Sequence, residues 1–178
     1  MYAVRRDAAG EGVKTMAKAK DKDNKTNVMR LLEQAGIPYT PHTYDPEGPI
    51  DGVSVATILG QDVECVFKTL VTRGASGAYY VFDIPVAENL DLKKAARAVG
   101  EKSIAMLPQK ELLGLTGYVH GGCSPVGMKK QFPTVFHETA EIIDTIMVSA
   151  GKIGFQVECK PDALMELVNA TTADIIVD

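Results

Sequence analysis

The 178-residue chain has a mass of 19.1 kDa, which suits one sizeable domain and leaves too little for two. Hydrophobic residues make up 46% and charged residues 24% of it, which excludes disorder over most of its length. Residues 1–26 carry seven Lys or Arg and four Asp or Glu, a net +3, whereas residues 27–178 carry twelve and nineteen, a net −7. A protein that grips nucleic acid by itself usually presents a broad basic face, and this acidic body excludes that class. Any nucleic-acid role must depend on a local patch, the basic leader or a partner.

Residues 1–25 are polar and charged, lack periodicity, and predict a flexible leader. They also lack the apolar segment of a secretory signal, and no apolar run in the chain approaches the roughly 18 residues of a membrane span. We therefore expect a cytoplasmic protein with no membrane partner. Met16 opens a second plausible start, which leaves open whether residues 1–15 are native. The folded domain is predicted to span residues 26–178.

The first half of this domain alternates between helical and extended patterns. Apolar residues at helical spacing predict a helix that begins after Thr26 and ends at Gly36, and Asp91 caps another that closes at Gly100. Pro41 lies in the first extended segment and indicates an edge strand. The other predicted elements are a strand 39–44, a short helix capped by Ser54 and ending at Leu59, a pair of strands 66–72 and 78–86, and a strand 103–106.

The second half places a glycine-rich loop, 117–127, among further strands. Strands interleaved with helices, including tight strand pairs, predict a single α/β domain with a mixed sheet rather than a purely parallel one. The elements predicted here are a one- to two-turn helix from Pro108 to about Gly114, strands 134–136, 142–149 and 153–159, a helix that begins at Pro161, and a last strand 175–177.

Lys68 is the first candidate for chemistry. It is the only charged residue between Glu64 and Arg73 and lies on a predicted strand whose faces are both mainly apolar. Burying an ammonium is costly unless it is paired or its pKa falls, so this side chain must either reach solvent at the rim of the sheet or enter a polar pocket. In a pocket it would hydrogen-bond a substrate carbonyl or a ribose or phosphate oxygen.

The loop GGCSPVG at 121–127 is the second candidate. Its glycines permit positive φ and close approach of the backbone, so its N–H groups can cradle an oxyanion or a carbonyl. It fits neither a nucleophile elbow, because Pro125 lacks the required N–H, nor a phosphate-binding loop, because Met128 and Lys129 replace the Lys and the Ser or Thr. A tight structural connection between two elements remains the alternative.

The thiols and imidazoles form the third candidate. The chain has an odd number of cysteines, the three residues Cys65, Cys123 and Cys159, and no C-x-x-C pair. This pattern favours reduced thiols over disulfides or a zinc site. Cys123 follows His120 by three residues, but on a glycine loop a small structural thiol is favoured over a Cys–His nucleophile. No cluster has metal-ligand spacing, and we predict neither a metal nor a cofactor. Four lysines form either a solvated face or a guide for an RNA backbone: Lys129, Lys130, Lys152 and Lys160.

Four segments carry a family resemblance: TNVMRLLEQAGIPY at 26–39, DVECVFKTLV at 62–71, LTGYVHGGCSPVGMKK at 115–130 and TIMVSAGKIG at 145–154. Together they resemble the YbaK/EbsC family, bacterial Cys-tRNA(Pro) deacylases related to the editing domain of prolyl-tRNA synthetase. The resemblance covers residues 26–177. F-K-T-L joined to a loop of the G-x-S-P-x-G type is specific, whereas either motif alone would be weak.

The resemblance implies the fold and the site residues. It implies a largely antiparallel, curved β-sheet with surrounding helices, and it makes Lys68 the residue most tied to activity. Tyr44 matches the pocket tyrosine of the family, with Tyr39 as the competing match, and Ser149 matches the serine of V-S-x-G. Gln156 stands where many members carry an aspartate, and this departure puts a carboxylate role and the specificity in question. The loop would supply the other substrate-binding residues: Gly121, Gly122, Cys123, Ser124, Pro125 and Gly127.

The resemblance also implies an activity, the hydrolysis of the ester that joins a misattached cysteine to tRNA(Pro). In the family the substrate thiol attacks its own ester carbonyl, so the protein need not supply a nucleophile. Lys68 would then position the aminoacyl end while N–H groups of the loop 121–127 stabilise the oxyanion, and Tyr44 and Ser149 would orient the ligand. The implied partners are the 3′ aminoacyl end of tRNA(Pro) and prolyl-tRNA synthetase, which would hold the tRNA body.

Two alternatives stay open at the level of sequence. The first is a deacylase for another mischarged amino acid, such as Ala-tRNA(Pro), which would need an activated water instead of a substrate thiol. The second is a non-catalytic module that binds aminoacyl-tRNA or a synthetase through the same pocket. Comparing tRNAs that carry Cys, Ala or Ser distinguishes the first alternative from a Cys-tRNA(Pro) deacylase. Measuring turnover rather than binding distinguishes the second.

Overall fold

The computed structural model describes residues 24–178, so the predicted leader lies outside it except for its last two residues. The strands in this range are β1 (Tyr39–Thr43), β2 (Phe67–Gly74), β3 (Tyr79–Pro85), β4 (Ile104–Met106), β5 (Thr134–His137), β6 (Ile146–Ser149), β7 (Phe155–Cys159) and β8 (Thr171–Ala173). The helices are α1 (Asn27–Gln34), α2 (Gly52–Ile58), α3 (Leu92–Val99), α4 (Gln109–Thr116) and α5 (Pro161–Leu167). None of these helices is both long and apolar enough to cross a membrane.

Two sheets organise the described part of the chain. The larger has the strand order β4-β2-β3-β5-β8, in which β2 pairs antiparallel with β3 and β4, whereas the β3–β5 and β5–β8 pairs are parallel. The smaller has the order β1-β7-β6 and is antiparallel throughout. A bridge between Val66 and Met147 connects the two sheets. The predicted α/β fold with mixed strand pairing is confirmed, and Pro41 does lie in an edge strand.

The larger sheet is buried on both faces because its strands are apolar on both. Val71 and Val81 face the main core, which also receives α1 and the loop after α4. Phe82 and Ile84 face a second core beneath α3. The strand pair β2–β3 is therefore held rigidly, and it carries the side chains of the site described below.

Three predicted elements differ from the structure. The short helix α2 is capped by Asp51 rather than Ser54, because the Asp51 carboxylate accepts the Ser54 N–H at 3.0 Å. The predicted strand 142–149 begins only at Ile146, because residues 142–145 form an irregular turn after the 3₁₀ helix 138–141. The last strand is β8 rather than 175–177, since β8 adds to β5 while 175–177 makes only the bridge between Leu90 and Ile176.

Candidate active site

A cavity of about 300 Å³ lies where the first half of β2 meets α2, the loop after α4 and the smaller sheet. Its wall combines apolar side chains with a few polar ones, as is usual for small-ligand sites. The lining residues are Tyr44, Ile50, Asp51, Gly52, Val53, Val55, Val66, Phe67, Lys68, Thr69, Leu70, Val86, Leu112, His120, Gly121, Cys123, Ser149 and Gln156.

Four consecutive residues of β2, 67–70, line this cavity, although alternate strand residues point to opposite faces. The cavity therefore lies against the edge of β2 rather than against one face. On that edge, β4 pairs only with residues 72–74 of β2. The bridge to the smaller sheet is at Val66, one residue before β2 begins. Within residues 24–178 no strand covers the edge between them, and both faces of β2 can contribute to one site.

The Lys68 side chain enters the cavity, half-buried, from the face of β2 opposite Thr69. Its ammonium has no hydrogen-bond or ion-pair partner in the described part of the chain. Burial lowers the pKa of Lys68, and the charge of Glu88 partly offsets that effect. A partly desolvated ammonium without a protein partner is available to bind an oxygen of a ligand.

The glycine-rich loop divides into a cavity-lining part and a supporting part. Gly121 and Cys123 line the cavity, whereas Gly122, Ser124, Pro125 and Gly127 do not. The Gly122 N–H is already used by the carbonyl of Val119, at 3.0 Å. Ser124 is fully buried, and its hydroxyl accepts the Val126 N–H at 3.3 Å, which stabilises the loop.

The thiol of Cys123 lies deep in this wall. Burial raises the pKa of Cys123 to about 12, with a smaller contribution from Asp83. The thiol is therefore neutral at physiological pH and is a poor nucleophile. His120 also lines the cavity, at its exposed side, and no hydrogen bond joins it to Cys123 among residues 24–178.

The two remaining predicted residues, Tyr44 and Ser149, both line the cavity. The backbone of Tyr44 is held by its N–H, which donates to the carbonyl of Gly154 at 2.9 Å. Tyr39, the competing match, lies at the other end of β1, where its hydroxyl donates to Glu33 at 2.9 Å. The Ser149 hydroxyl accepts the Gly151 N–H at 3.2 Å and so stands at the turn between β6 and β7.

Several lining residues were not among the predicted site residues. Thr69 follows Lys68 directly, and the mixed F-K-T-L pattern was a signal that both faces of this strand matter. Gln156 was noted only as a departure from the family, yet its side chain is 6% exposed and its carbonyl accepts the Gln61 amide N–H at 2.9 Å. Asp51 also lines the cavity, but capping of α2 lowers its pKa and makes it a weak base.

None of the four predicted basic residues lines the cavity, and Lys160 is exposed at the start of α5. Lys129 and Lys130 follow the loop and are exposed. Lys152 is exposed in the turn 151–154, whose backbone packs against Gly122 closely enough that an added Cβ there would meet the Ile153 nitrogen at 3.1 Å. The Lys129 ammonium donates to the Gly114 carbonyl at 3.3 Å, and the Lys152 ammonium lies 5.4 Å from the centre of the Phe155 ring. Within residues 24–178, no group of three or more His, Cys, Asp or Glu side chains is placed to hold a metal ion.

Among the described residues, the cavity therefore combines the partly desolvated ammonium of Lys68 with residues of the glycine-rich loop and a largely apolar wall. The sequence profile of the aminoacyl-tRNA editing domain matches residues 51–167. The chain belongs to this family. The predicted family and the predicted class, an aminoacyl-tRNA editing enzyme, are confirmed.

Individual relatives agree with this assignment. The chain is 47% identical over 161 residues to an Enterococcus faecalis protein named "Putative Cys-tRNA(Pro)/Cys-tRNA(Cys) deacylase EbsC", covering 90% of this chain and 98% of the relative. A solved structure described as "a putative trans-editing enzyme for prolyl tRNA synthetase" matches with a TM-score of 0.72 at 25% identity, covering 86% of this chain and 99% of the other. The hypothetical protein APE2540 shares the fold, with a TM-score of 0.78 at 21% identity over 85% of this chain and 100% of the other.

Proposed function

We propose that the protein is a trans-acting aminoacyl-tRNA deacylase that hydrolyses mischarged Cys-tRNA(Pro). The observation that carries this proposal is the free ammonium of Lys68 in a cavity of about 300 Å³. That volume lies at the small end of ligand sites and suits a small aminoacyl headgroup. The name of the 47%-identical relative supports the cysteinyl substrate.

The chemistry proceeds without a protein nucleophile. The substrate's own sulfur forms a bond to the ester carbonyl carbon as the bond from that carbon to the ribose oxygen breaks. The ribose oxygen leaves with a proton, and water then hydrolyses the resulting thiolactone to free cysteine. The neutral thiol of Cys123 and the weakly basic Asp51 support this route, because neither is suited to attack the ester or to activate a water.

Lys68 would bind the aminoacyl end, and loop N–H groups would stabilise the oxyanion. The N–H of Gly122 is already engaged, so the donors among the cavity-lining loop residues are Gly121 and Cys123. Tyr44 and Ser149 would orient the ligand from the opposite wall. Preorganised donors of this kind act strongly because the cavity excludes much of the water.

The test measures deacylation of tRNA(Pro) charged with Cys, Ala or Ser by wild type, Lys68→Ala and Lys102→Ala. We expect rapid loss of Cys only, a reduction of about 100-fold or more in Lys68→Ala, and wild-type rates in Lys102→Ala. Lys102 is the matched control because it is exposed beyond α3, near the far end of β2. Near-full activity of folded Lys68→Ala would reject the proposed role of Lys68.

The same assay separates the two other functions. Loss of Ala without a thiol in the substrate would identify an Ala-tRNA(Pro) deacylase, in which a cavity-lining group such as His120 would have to activate a water. Binding of Cys-tRNA(Pro) without turnover would identify a non-catalytic module. Either outcome would replace the proposed function.

The finer partners are also proposals. An aminoacyl-tRNA substrate follows from the proposed reaction, and tRNA(Pro) with prolyl-tRNA synthetase is the pair that the cysteinyl error implies. Because translation occurs there, we propose a cytoplasmic location. Adding the synthetase to the assay should lower the KM for charged tRNA and leave kcat unchanged.

A further inference from the structure

A carboxyl group is buried directly behind the cavity wall. Asp83 lies in the middle of β3 and is 0% exposed. Its Oδ1 lies 2.6 Å from the Thr69 hydroxyl oxygen, a hydrogen-bond distance at which either group can be the donor, and its Oδ2 has no hydrogen-bond partner among the described residues. A buried polar oxygen without a partner is uncommon and calls for an explanation.

The strand register brings this carboxyl to the site. Thr69 of β2 stands directly opposite Asp83 of β3, so both side chains are on the same face of the sheet. Thr69 lines the cavity, as does Cys123 on the loop that covers this face. Asp83 therefore reaches the ligand space only through Thr69, with Cys123 as the nearby titratable group on the covering loop.

No cation compensates the carboxyl within residues 24–178, since the ammonium of Lys68 is on the other face of β2. On its own face the neighbouring side chains include Phe67, Val81 and Phe136, which are apolar and buried. Burial raises the pKa of Asp83 to about 8, and the Thr69 hydroxyl offsets this only in part. At neutral pH the group is mainly a neutral acid with one O–H to donate.

A neutral acid beside a hydroxyl changes what the hydroxyl can offer. We propose that protonated Asp83 donates its O–H to the Thr69 oxygen and thereby directs the Thr69 O–H into the cavity, toward the ester carbonyl oxygen of the bound substrate. Asp83 is then a positioning residue, and Thr69 is a second donor to the reacting group beside Lys68. This inference rests on the proposed deacylase function.

The ionised form of Asp83 would reverse the arrangement. A carboxylate can only accept hydrogen bonds, so the Thr69 hydroxyl would donate its hydrogen to Asp83. The Thr69 oxygen could then only accept a hydrogen bond from the ligand. The substrate carbonyl would then lose one donor. The site is competent to use both donors only while the acid holds its proton.

The central experiment compares single-turnover deacylation of Cys-tRNA(Pro) by Thr69→Val, Thr69→Ser, Asp83→Ala and Asp83→Asn. We expect Thr69→Val and Asp83→Ala each to lower the rate about 10- to 100-fold, and Thr69→Ser to retain it. Asp83→Asn should stay within about 3-fold of wild type, because its amide N–H can also donate to the Thr69 oxygen. The double variant Asp83→Ala with Thr69→Val should be no slower than Thr69→Val alone.

Three results would overturn the inference. These are wild-type rates in Thr69→Val, wild-type rates in folded Asp83→Ala, and a loss in Asp83→Asn as large as that in Asp83→Ala. Thermal unfolding shows whether each variant is folded. If Asp83→Ala fails to fold, Asp83→Asn and the two Thr69 variants decide the matter alone.

The pH dependence supplies a readout that a structural role would not move. The wild-type rate, corrected for spontaneous ester hydrolysis, should fall in a single titration step as pH rises through about 8. The rate of Asp83→Asn should show no such fall. The other titratable side chains of the cavity, including His120, are present in both proteins, so a step that only the wild type shows belongs to Asp83. The pKa of Cys123 and that of Tyr118 are each raised to about 12, and Lys68 titrates equally in both proteins.

A further measurement separates this inference from the proposed function. The infrared carbonyl band of a protonated carboxyl should be present in wild type near neutral pH, disappear on alkaline titration and be missing in Asp83→Asn. If the wild type cleaves none of the charged tRNAs, the proposed function fails while this band still reports on Asp83. If cleavage occurs but the band is absent, the inference alone fails.

Discussion

The Asp83 carboxyl makes the stability of the fold depend on pH in an unusual direction. Its pKa is raised from 3.8 to about 8 in the folded protein, so the folded state holds a proton that the unfolded state has released. The contribution of Asp83 to folding stability is therefore fully present below pH about 4 and is lost as pH rises through about 8. Asp83→Asn should raise the free energy of unfolding at pH 8 by an amount on the order of a few kcal/mol, and should change it little at pH 4.

Denaturant unfolding at a series of pH values measures this difference. Asp91→Ala is the control in which the change in stability should depend on pH in the opposite direction. Hydrogen bonds from N–H groups of α3 lower the pKa of the Asp91 carboxyl. That variant should be less stable than wild type at neutral pH, and the gap should close as pH falls below about 4. A difference between Asp83→Asn and wild type that does not vary with pH would contradict the assignment of a neutral acid.

The pattern of charged and apolar residues predicted Lys68 as a site residue, but it did not predict Thr69 or Asp83. A lone charge in an apolar strand is conspicuous because burial is costly, and the structure does place that side chain in the cavity. Asp83 is just as costly, but in the sequence YYVFDIP it resembles an ordinary strand residue near a turn. Only the register of β2 against β3 shows that it faces Thr69.

Within the glycine loop, Gly127 lies outside the cavity lining and packs closely against neighbouring side chains. Its φ is 79°, and a Cβ there would stand 2.8 Å from the Tyr118 hydroxyl oxygen and 3.0 Å from a Leu31 methyl carbon. Gly127→Ala should therefore lose about 1–2 kcal/mol from the positive φ and a further amount from the clash. The measurement is the free energy of unfolding, with deacylation followed per folded molecule.

Gly100→Ala is the matched control for that variant. Gly100 has a similar φ of 74°, but a Cβ there would meet nothing within 4 Å. It should show the conformational cost alone, so Gly127→Ala should be clearly less stable than Gly100→Ala. Equal losses in the two would mean that Tyr118 and Leu31 yield freely and that the loop is not tightly packed.

Most elements could be predicted from sequence because caps and breakers marked them. Asp91 and Gly100 bound α3 as expected. The cap of α2 was missed because Asp51 and Ser54 are three positions apart and both are good capping residues. Only the hydrogen bond from the Ser54 N–H to the Asp51 carboxylate shows that Asp51 is the cap. The last strand was misplaced because the apolar run 175–177 looked more strand-like than the Thr-rich β8, which is held by pairing with β5.

The site itself forms only at the scale of the whole molecule. Its lining comes from the segment after β1, from α2, β2, the loop after α4, β6 and β7, which are far apart in the sequence. The family resemblance indicated which of these segments belong together. The uncovered edge of β2, which admits both Lys68 and Thr69, depends on where β4 stops pairing and leaves no mark in the sequence.

The charge of the whole molecule bears on how it meets a tRNA. Residues 27–178 carry twelve basic and nineteen acidic residues, so few phosphates can be neutralised. We expect weak and salt-sensitive binding of free tRNA, because each phosphate contact adds about 0.7–0.9 to the slope of log affinity against log salt. The lysines near the loop are the groups placed to make those contacts.

Lys152→Glu tests that expectation, with Lys102→Glu as the control of equal charge change at the other end of β2. Lys152 is exposed on the turn that packs against Gly122, beside the cavity-lining Gly121. Without synthetase, Lys152→Glu should raise the KM for Cys-tRNA(Pro) several-fold at low salt and flatten its salt dependence, while kcat stays unchanged. Lys102→Glu should leave both constants near wild type. Equal effects of the two substitutions would show that net charge, rather than a local phosphate contact near the loop, governs the encounter.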